Sequence, residues 1–169
     1  GLCLWVAEPG EAALVRAPIS RDVGCGDIGR RAVDFEEGKP AATRFEAAAA
    51  GHWPSGAPGR QGTPARSRSC AGSQVLLLSC AVEGPGRKHQ IRVHAAHVGV
   101  PLIGDELYGG LPTPEGEGGM SRVALHAWRL RVQHPETGLQ LTIEAPPPED
   151  FQRCMDVCGI AWTAPVSHA

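Results

Sequence analysis

The chain has 169 residues, of which 42% are hydrophobic and 20% charged, with a formal net charge of −2. That composition describes a folding domain with a sizeable core, and it excludes a disordered chain or one that wraps nucleic acid through overall charge. No run of about 18 apolar residues occurs, so no transmembrane helix is expected, and the opening GLCLWVAEPG lacks the basic flank of a signal peptide.

In chain order, LCLWVAE (2–8) is a short apolar run closed by Pro9 and Gly10, which predicts a strand and a turn. ALVRAPISRD continues extended around Pro18, and VGCGDIGRRAVDFEEGKPA has loop composition with a charged turn at EEGKP. ATRFEAAA (42–49) predicts a strand. From 47 to 73 the chain is dominated by Gly, Pro, Ala, Ser and Arg, too little apolar surface to offset ordering, so a flexible insertion carrying Arg60, Arg66 and Arg68 is expected there. QVLLLSCAVE (74–83) is a continuous apolar run, the pattern of a central strand buried on both faces.

Gly84, Pro85 and Gly86 end that strand, and HQIRVHAAHVG has helical spacing. Ile91, Ala95 and Val98 repeat at i, i+4, i+7 and form the expected buried stripe, with Arg92 beside it and Gly99 closing the helix. PLIGDELYGG predicts an apolar turn and LPTPEGEGG a solvated loop. VALHAWRLRVQ (123–133) and LQLTIEAP predict antiparallel partners around the turn HPETG. FQRCMDVCGIAW closes the chain as a helix. The expected class is α+β, a mixed and mainly antiparallel sheet with packed helices.

Charge is unevenly spread. Residues 1–56 carry 6 Lys/Arg against 8 Asp/Glu, residues 57–94 carry 6 against 1, and residues 95–169 carry 4 against 9. A basic band of +5 therefore lies between segments of −2 and −5, and it attracts a polyanion despite the acidic total. The six cysteines are irregularly spaced, which predicts a reducing, intracellular compartment rather than a disulfide scaffold. Cys154 and Cys158 are expected as two thiols on one helix face, with a metal half-site as the alternative.

His89, His94 and His97 do not share a helix face as zinc ligands do, since residues five apart lie about 140° around the axis. No Gly-x-Ser-x-Gly elbow and no phosphate loop occurs. What remains is Arg92 with Arg87, Lys88 and His89, directly after a buried strand. Cations and backbone N–H groups at a helix start suit phosphate, and a partly buried Arg92 calls for an acidic partner.

The stretch GRKHQIRVHAAHVGVPLIGDELYGG (86–110) resembles the signature of the RluA-type pseudouridine synthases, close to G-R-T-H-Q-I-R-V-H-x-x-x-x-G-x-P-x-x-G-D-x-x-Y-G. APISRD and GKPAATRF resemble that family's upstream segments, and LHAWRLRVQHPETGLQLTIEAPPPEDF its closing hairpin. The resemblance covers most of residues 2–151, which implies a partial catalytic domain over that range, interrupted at 47–73 and followed by a tail at 152–169. It implies isomerisation of uridine to pseudouridine in structured RNA, ribosomal or transfer RNA foremost, without cofactor, metal or membrane. Arg92 is then expected to pair with a catalytic Asp, and Arg87, Lys88, His89, Arg60, Arg66 and Arg68 to contact RNA. The family's catalytic Asp belongs to a His-Arg-Leu-Asp segment that this sequence does not contain, and Leu2 stands where the family has its Tyr. The expectation is thus the C-terminal part of a synthase domain, inactive alone and with Arg92 lacking its carboxylate. The alternatives are a catalytically inactive RNA-binding module on the same fold, and a chain that pairs with another supplying the missing half.

Overall fold

The computed structural model describes residues 2–6, 13–20, 29–54, 73–114, 116 and 119–161. Arg60, Arg66 and Arg68 lie outside them. Five strands form one antiparallel sheet: β1 (Leu2–Val6), β2 (Ala13–Arg16), β3 (Ala42–His52), β4 (Gln74–Glu83) and β5 (Leu125–His126), in the order β2-β3-β4-β1-β5. β6 (Arg129–Gln133) and β7 (Gln140–Glu144) form a separate two-stranded hairpin. Helix α1 (Gln90–His97) follows β4, and helix α2 (Glu149–Val157) follows β7. The α+β class and the antiparallel pairing are as the sequence predicts.

The unbroken apolar run of β4 has a simple cause. Its residues alternate across the sheet, and both faces are covered. Val75 and Leu77 pack with Phe151, Cys154 and Met155 of α2, while Leu76, Leu78 and Cys80 pack with Ala95 of α1 and Leu102 beyond it. The molecule is therefore layered as α1, sheet, α2. Burying one such aliphatic side chain stabilises by about 2 kcal/mol, so this strand alone anchors both halves of the core. Cys154 and Cys158 are buried free thiols in the α2 layer, the thiol reading of that pair. No third metal-ligating side chain gathers beside them among the described residues.

Four boundaries differ from expectation. β3 runs on to His52, which pairs with Gln74 across the sheet, with a bulge between Ala47 and Ala49. Residues 47–52 thus belong to the strand rather than to the insertion: they pair with β4, Ala49 packs on the core beneath α2, and Gly51 is buried where a Cβ would run into the Cys158 carbonyl. The strand expected over 123–133 divides at Ala127 and Trp128: Trp128 turns into the core at 7% exposure, and the chain leaves one sheet for the hairpin. Residues 152–160 are part of the core through Cys154, Met155, Cys158 and Ile160, not a tail.

The buried face of α1 is the fourth. It carries Gln90, Val93, His94 and Ala95, whereas Val98 is 43% exposed. Two polar residues occupy the face because β3 and the segment after β2 supply their partners. Gln90 Nε2 donates to Ala42 O (2.8 Å) and to Thr43 Oγ1 (3.1 Å). His94 Nδ1 lies 2.8 Å from Thr43 Oγ1 and His94 Nε2 2.8 Å from Ala17 O. These bonds fix the start of α1 against the start of β3.

Candidate active site

Helix α1 starts from an unusual residue. His89, its N-cap, has φ 58° and ψ 17°, a left-handed conformation that costs a non-glycine residue about 1 kcal/mol or more. The strain is held by contacts on both sides: the Arg87 backbone N–H donates to Gln90 Oε1 (3.0 Å), and His89 Nδ1 meets Tyr108 Oη at 3.0 Å. Aiming His89 at Tyr108 also directs Arg92, one turn along, toward the following loop.

That loop holds the carboxylate. Arg92 Nε donates to Asp105 Oδ2 (2.8 Å) and Nη2 to Asp105 Oδ1 (2.7 Å), a bidentate pair. Asp105 is buried, at 1% exposure, and its Oδ1 also accepts from the Tyr108 N–H (3.3 Å), capping a single 3-10 turn, Glu106–Tyr108. The turn closes tightly. Gly104 has φ 76°, open to glycine at little cost, and a Cβ on Gly110 would run into the Leu102 carbonyl. The Asp105 hydrogen bond raises the pKa of Arg92 further above its ordinary value, against the opposing effect of burial.

Tyr108 ties the pair to its surroundings. Its ring lies 5.0 Å from the Arg92 guanidinium carbon and 5.8 Å from that of Arg30, both within cation–π range. Its hydroxyl accepts from the Arg31 backbone N–H (3.0 Å), which leaves the hydroxyl proton for His89 Nδ1. Burial and then the neighbouring Arg92 and Lys88 hold the His89 pKa below its usual value, so the ring is neutral and Nε2 carries its proton. A cleft of about 480 Å³ opens beside Arg92, bounded by Gly104, Glu106, Thr113, Ser121 and Arg122. Arg122 is itself fixed by Asp150 (2.8 and 2.9 Å), and that guanidinium holds the Asp150 carboxyl below the usual carboxylate range.

Arg92 and His89 therefore meet at one site. Arg87 does not join them: its Nε donates to Pro40 O (3.2 Å) at the end of the sheet, and Lys88 is exposed. Asp105 gives Arg92 a carboxylate from within the chain, beside and not in place of the expected pairing with a catalytic Asp. Asp105 and Tyr108 are the residues that sequence reasoning did not single out. Their signal was present in G-D-x-x-Y-G, an acid directly after the aliphatic run PLIG with no other reason to be buried. Both Asp105 oxygens are engaged, so it is a positioning group; the remaining Arg92 donors have no partner among the described residues and are available to a second acceptor.

No family model matches the chain. It is 47% identical over 87 residues to ribosomal large subunit pseudouridine synthase D of Xanthomonas campestris pv. campestris, covering 46% of this chain and 26% of that protein. It is 44% identical over 81 residues to the Escherichia coli protein of the same name, covering 43% and 25%. The chain thus spans about a quarter of the length of the curated relatives it matches. Among solved structures it resembles human RNA pseudouridylate synthase domain containing 1, with a TM-score of 0.58 at 23% identity over 90% of this chain and 56% of that one. Human RNA pseudouridylate synthase domain containing 4 matches with a TM-score of 0.59 at 18% identity, over 96% and 62%. At those identities the two structures establish the fold.

Proposed function

The chain belongs to the RluA family of pseudouridine synthases, and from that premise we propose that it forms one wall of a uridine-isomerising site acting on ribosomal RNA of the large subunit. The observation that carries this reading is Arg92, locked by a buried Asp105 beneath Tyr108 and bordering a cleft of about 480 Å³, a volume suited to a nucleoside. The choice of RNA follows the two bacterial relatives, both ribosomal large subunit pseudouridine synthases.

In the isomerisation the C1′–N1 bond of uridine breaks and a C1′–C5 bond forms; C5 gives up its proton and N1 gains one. The base must first leave its stack to enter a cleft. Arg92 has donors to spare after Asp105, and their role is to hold a nucleophilic carboxylate brought by a His-Arg-Leu-Asp segment outside this sequence. Tyr108 and neutral His89 keep the guanidinium from swinging away. Arg87 and Lys88 at the helix start take RNA phosphate, with Arg60, Arg66 and Arg68 as further contacts.

Loss of the C5 proton gives a direct test. The protein carrying this chain together with a His-Arg-Leu-Asp segment is incubated with large-subunit RNA tritiated at uridine C5. Tritium release that falls at least about 100-fold in Arg92→Lys, with RNA affinity and the circular dichroism spectrum kept, is the expected result; lysine retains the charge but not the fork. RNA binding without any tritium release in the unsubstituted protein would instead favour an RNA-binding module.

A further inference from the structure

A second cavity lies away from the Arg92 cleft. It has a volume of about 460 Å³ and sits where β2 ends, β3 begins and β4 ends, lined by Arg16, Pro18, Pro40, Ala42, Pro85 and Arg87 among others. Its floor is unusual. Three prolines present flat aliphatic rings and no N–H donor, so the surface is apolar and reads no hydrogen-bond pattern. Its rim is cationic. Arg87 is pinned through Nε to Pro40 O at 3.2 Å, and neither of its Nη groups has a partner among the described residues. Arg16 is exposed and unpaired among them. The one acid at the rim, Glu83, is neutralised by Arg44 Nη2 at 2.7 Å. Flat apolar floor and free guanidinium rim together match one ligand chemistry, a planar base joined to a phosphate.

The position of the groove fits as well. Arg87 is two residues before His89, at most about 7 Å of chain, and His89 touches Tyr108 over Arg92. Resting on the reading of the chain as part of an RNA-acting site, we propose that this groove docks an unpaired nucleotide flanking the target uridine, its base on Pro18, Pro40 and Pro85 and its phosphate between Arg16 and Arg87. Because the floor carries no donor, the subsite selects for an unstacked nucleotide and not for which base it bears.

The test uses short single-stranded RNAs with one central uridine, end-labelled for fluorescence anisotropy, and a matched set made abasic at one flanking position at a time. For the unsubstituted protein one flanking position is expected to be sensitive, losing about tenfold in affinity when abasic, the size of one stacked base, and equally so whichever base it carried. Pro85→Glu, at an exposed position of the proline floor, is expected to lose about tenfold on the intact RNA and little further on the abasic one, whereas Arg16→Glu, which removes a phosphate contact that the abasic RNA keeps, loses about tenfold on both, with unchanged melting temperatures. Unchanged binding in both variants, or an equal loss by Pro85→Glu on intact and abasic RNA, overturns the groove. If the protein binds these RNAs and releases tritium from uridine while the variants behave as wild type, only the groove falls. If it binds no RNA above background, the underlying reading falls with it.

Discussion

At the scale of single residues, the site is organised around one buried carboxylate. Asp105 accepts two Arg92 donors and the Tyr108 N–H while almost fully removed from water. Replacing it by Asn presents an amide N–H₂ to a guanidinium and leaves the cation, itself only 19% exposed, without a counter-charge. Removing one member of a buried pair typically costs about 3–5 kcal/mol, and partial exposure of Arg92 reduces that to about 2–3 kcal/mol here. Urea unfolding of Asp105→Asn should show that loss as a lower midpoint at unchanged slope; a loss under about 0.5 kcal/mol would mean that the pair is ornamental. The need of Arg92 for an acid was legible in the sequence. Which acid was not, because Asp105 reaches it only when the chain folds back through Gly104 and Gly110, a closure that spacing along the chain does not encode.

At the scale of elements, α1 shows where periodicity fails. An apolar count selects Ile91, Ala95 and Val98, yet the buried face includes Gln90 and His94. Their partners are 47 to 77 residues away in β3 and the segment after β2, and no local pattern reveals them. β4 was legible for the opposite reason: burial on both faces leaves its own sequence uniformly apolar. The His94 arrangement has a pH consequence. With Nε2–H donating to Ala17 O and Nδ1 accepting from the Thr43 hydroxyl, the neutral ring is fully satisfied, and burial lowers its pKa. The unfolded ring titrates near about 6.5. Below that pH the unfolded state binds a proton that the folded state refuses, so stability falls as pH falls from about 7 toward 5. His89, also lowered, adds to the same slope. Chemical denaturation across that window should therefore show a declining unfolding free energy, and His94→Gln should flatten the decline while lowering the plateau. A profile that is level or rises toward pH 5 would contradict the neutral-ring assignment.

At the scale of the whole molecule, stability is unevenly distributed. β3 and β4 are paired along ten positions and roofed by helices on both faces. Among the described residues, the β6–β7 hairpin pairs only with itself. On one of its faces Leu130 opposes Ile143 and Val132 opposes Leu141, and these four remain 55%, 53%, 37% and 40% exposed. Such an alternation is what the sequence predicts for a strand with one buried face, but no described element covers it. The ladder bonds of the hairpin are then open to solvent, and a two-stranded ribbon is marginal alone. Local opening should cost far less here than in the core. In native-state hydrogen exchange, the backbone amides of Leu130, Val132, Leu141 and Ile143 should be the first ladder amides to exchange, and those of Leu76, Leu77 and Leu78 should be slower by at least about 100-fold. Protection of the hairpin equal to that of β4 would mean that its apolar face is covered in solution, and the layer that covers it would then belong to the folded unit as much as α1 and α2 do.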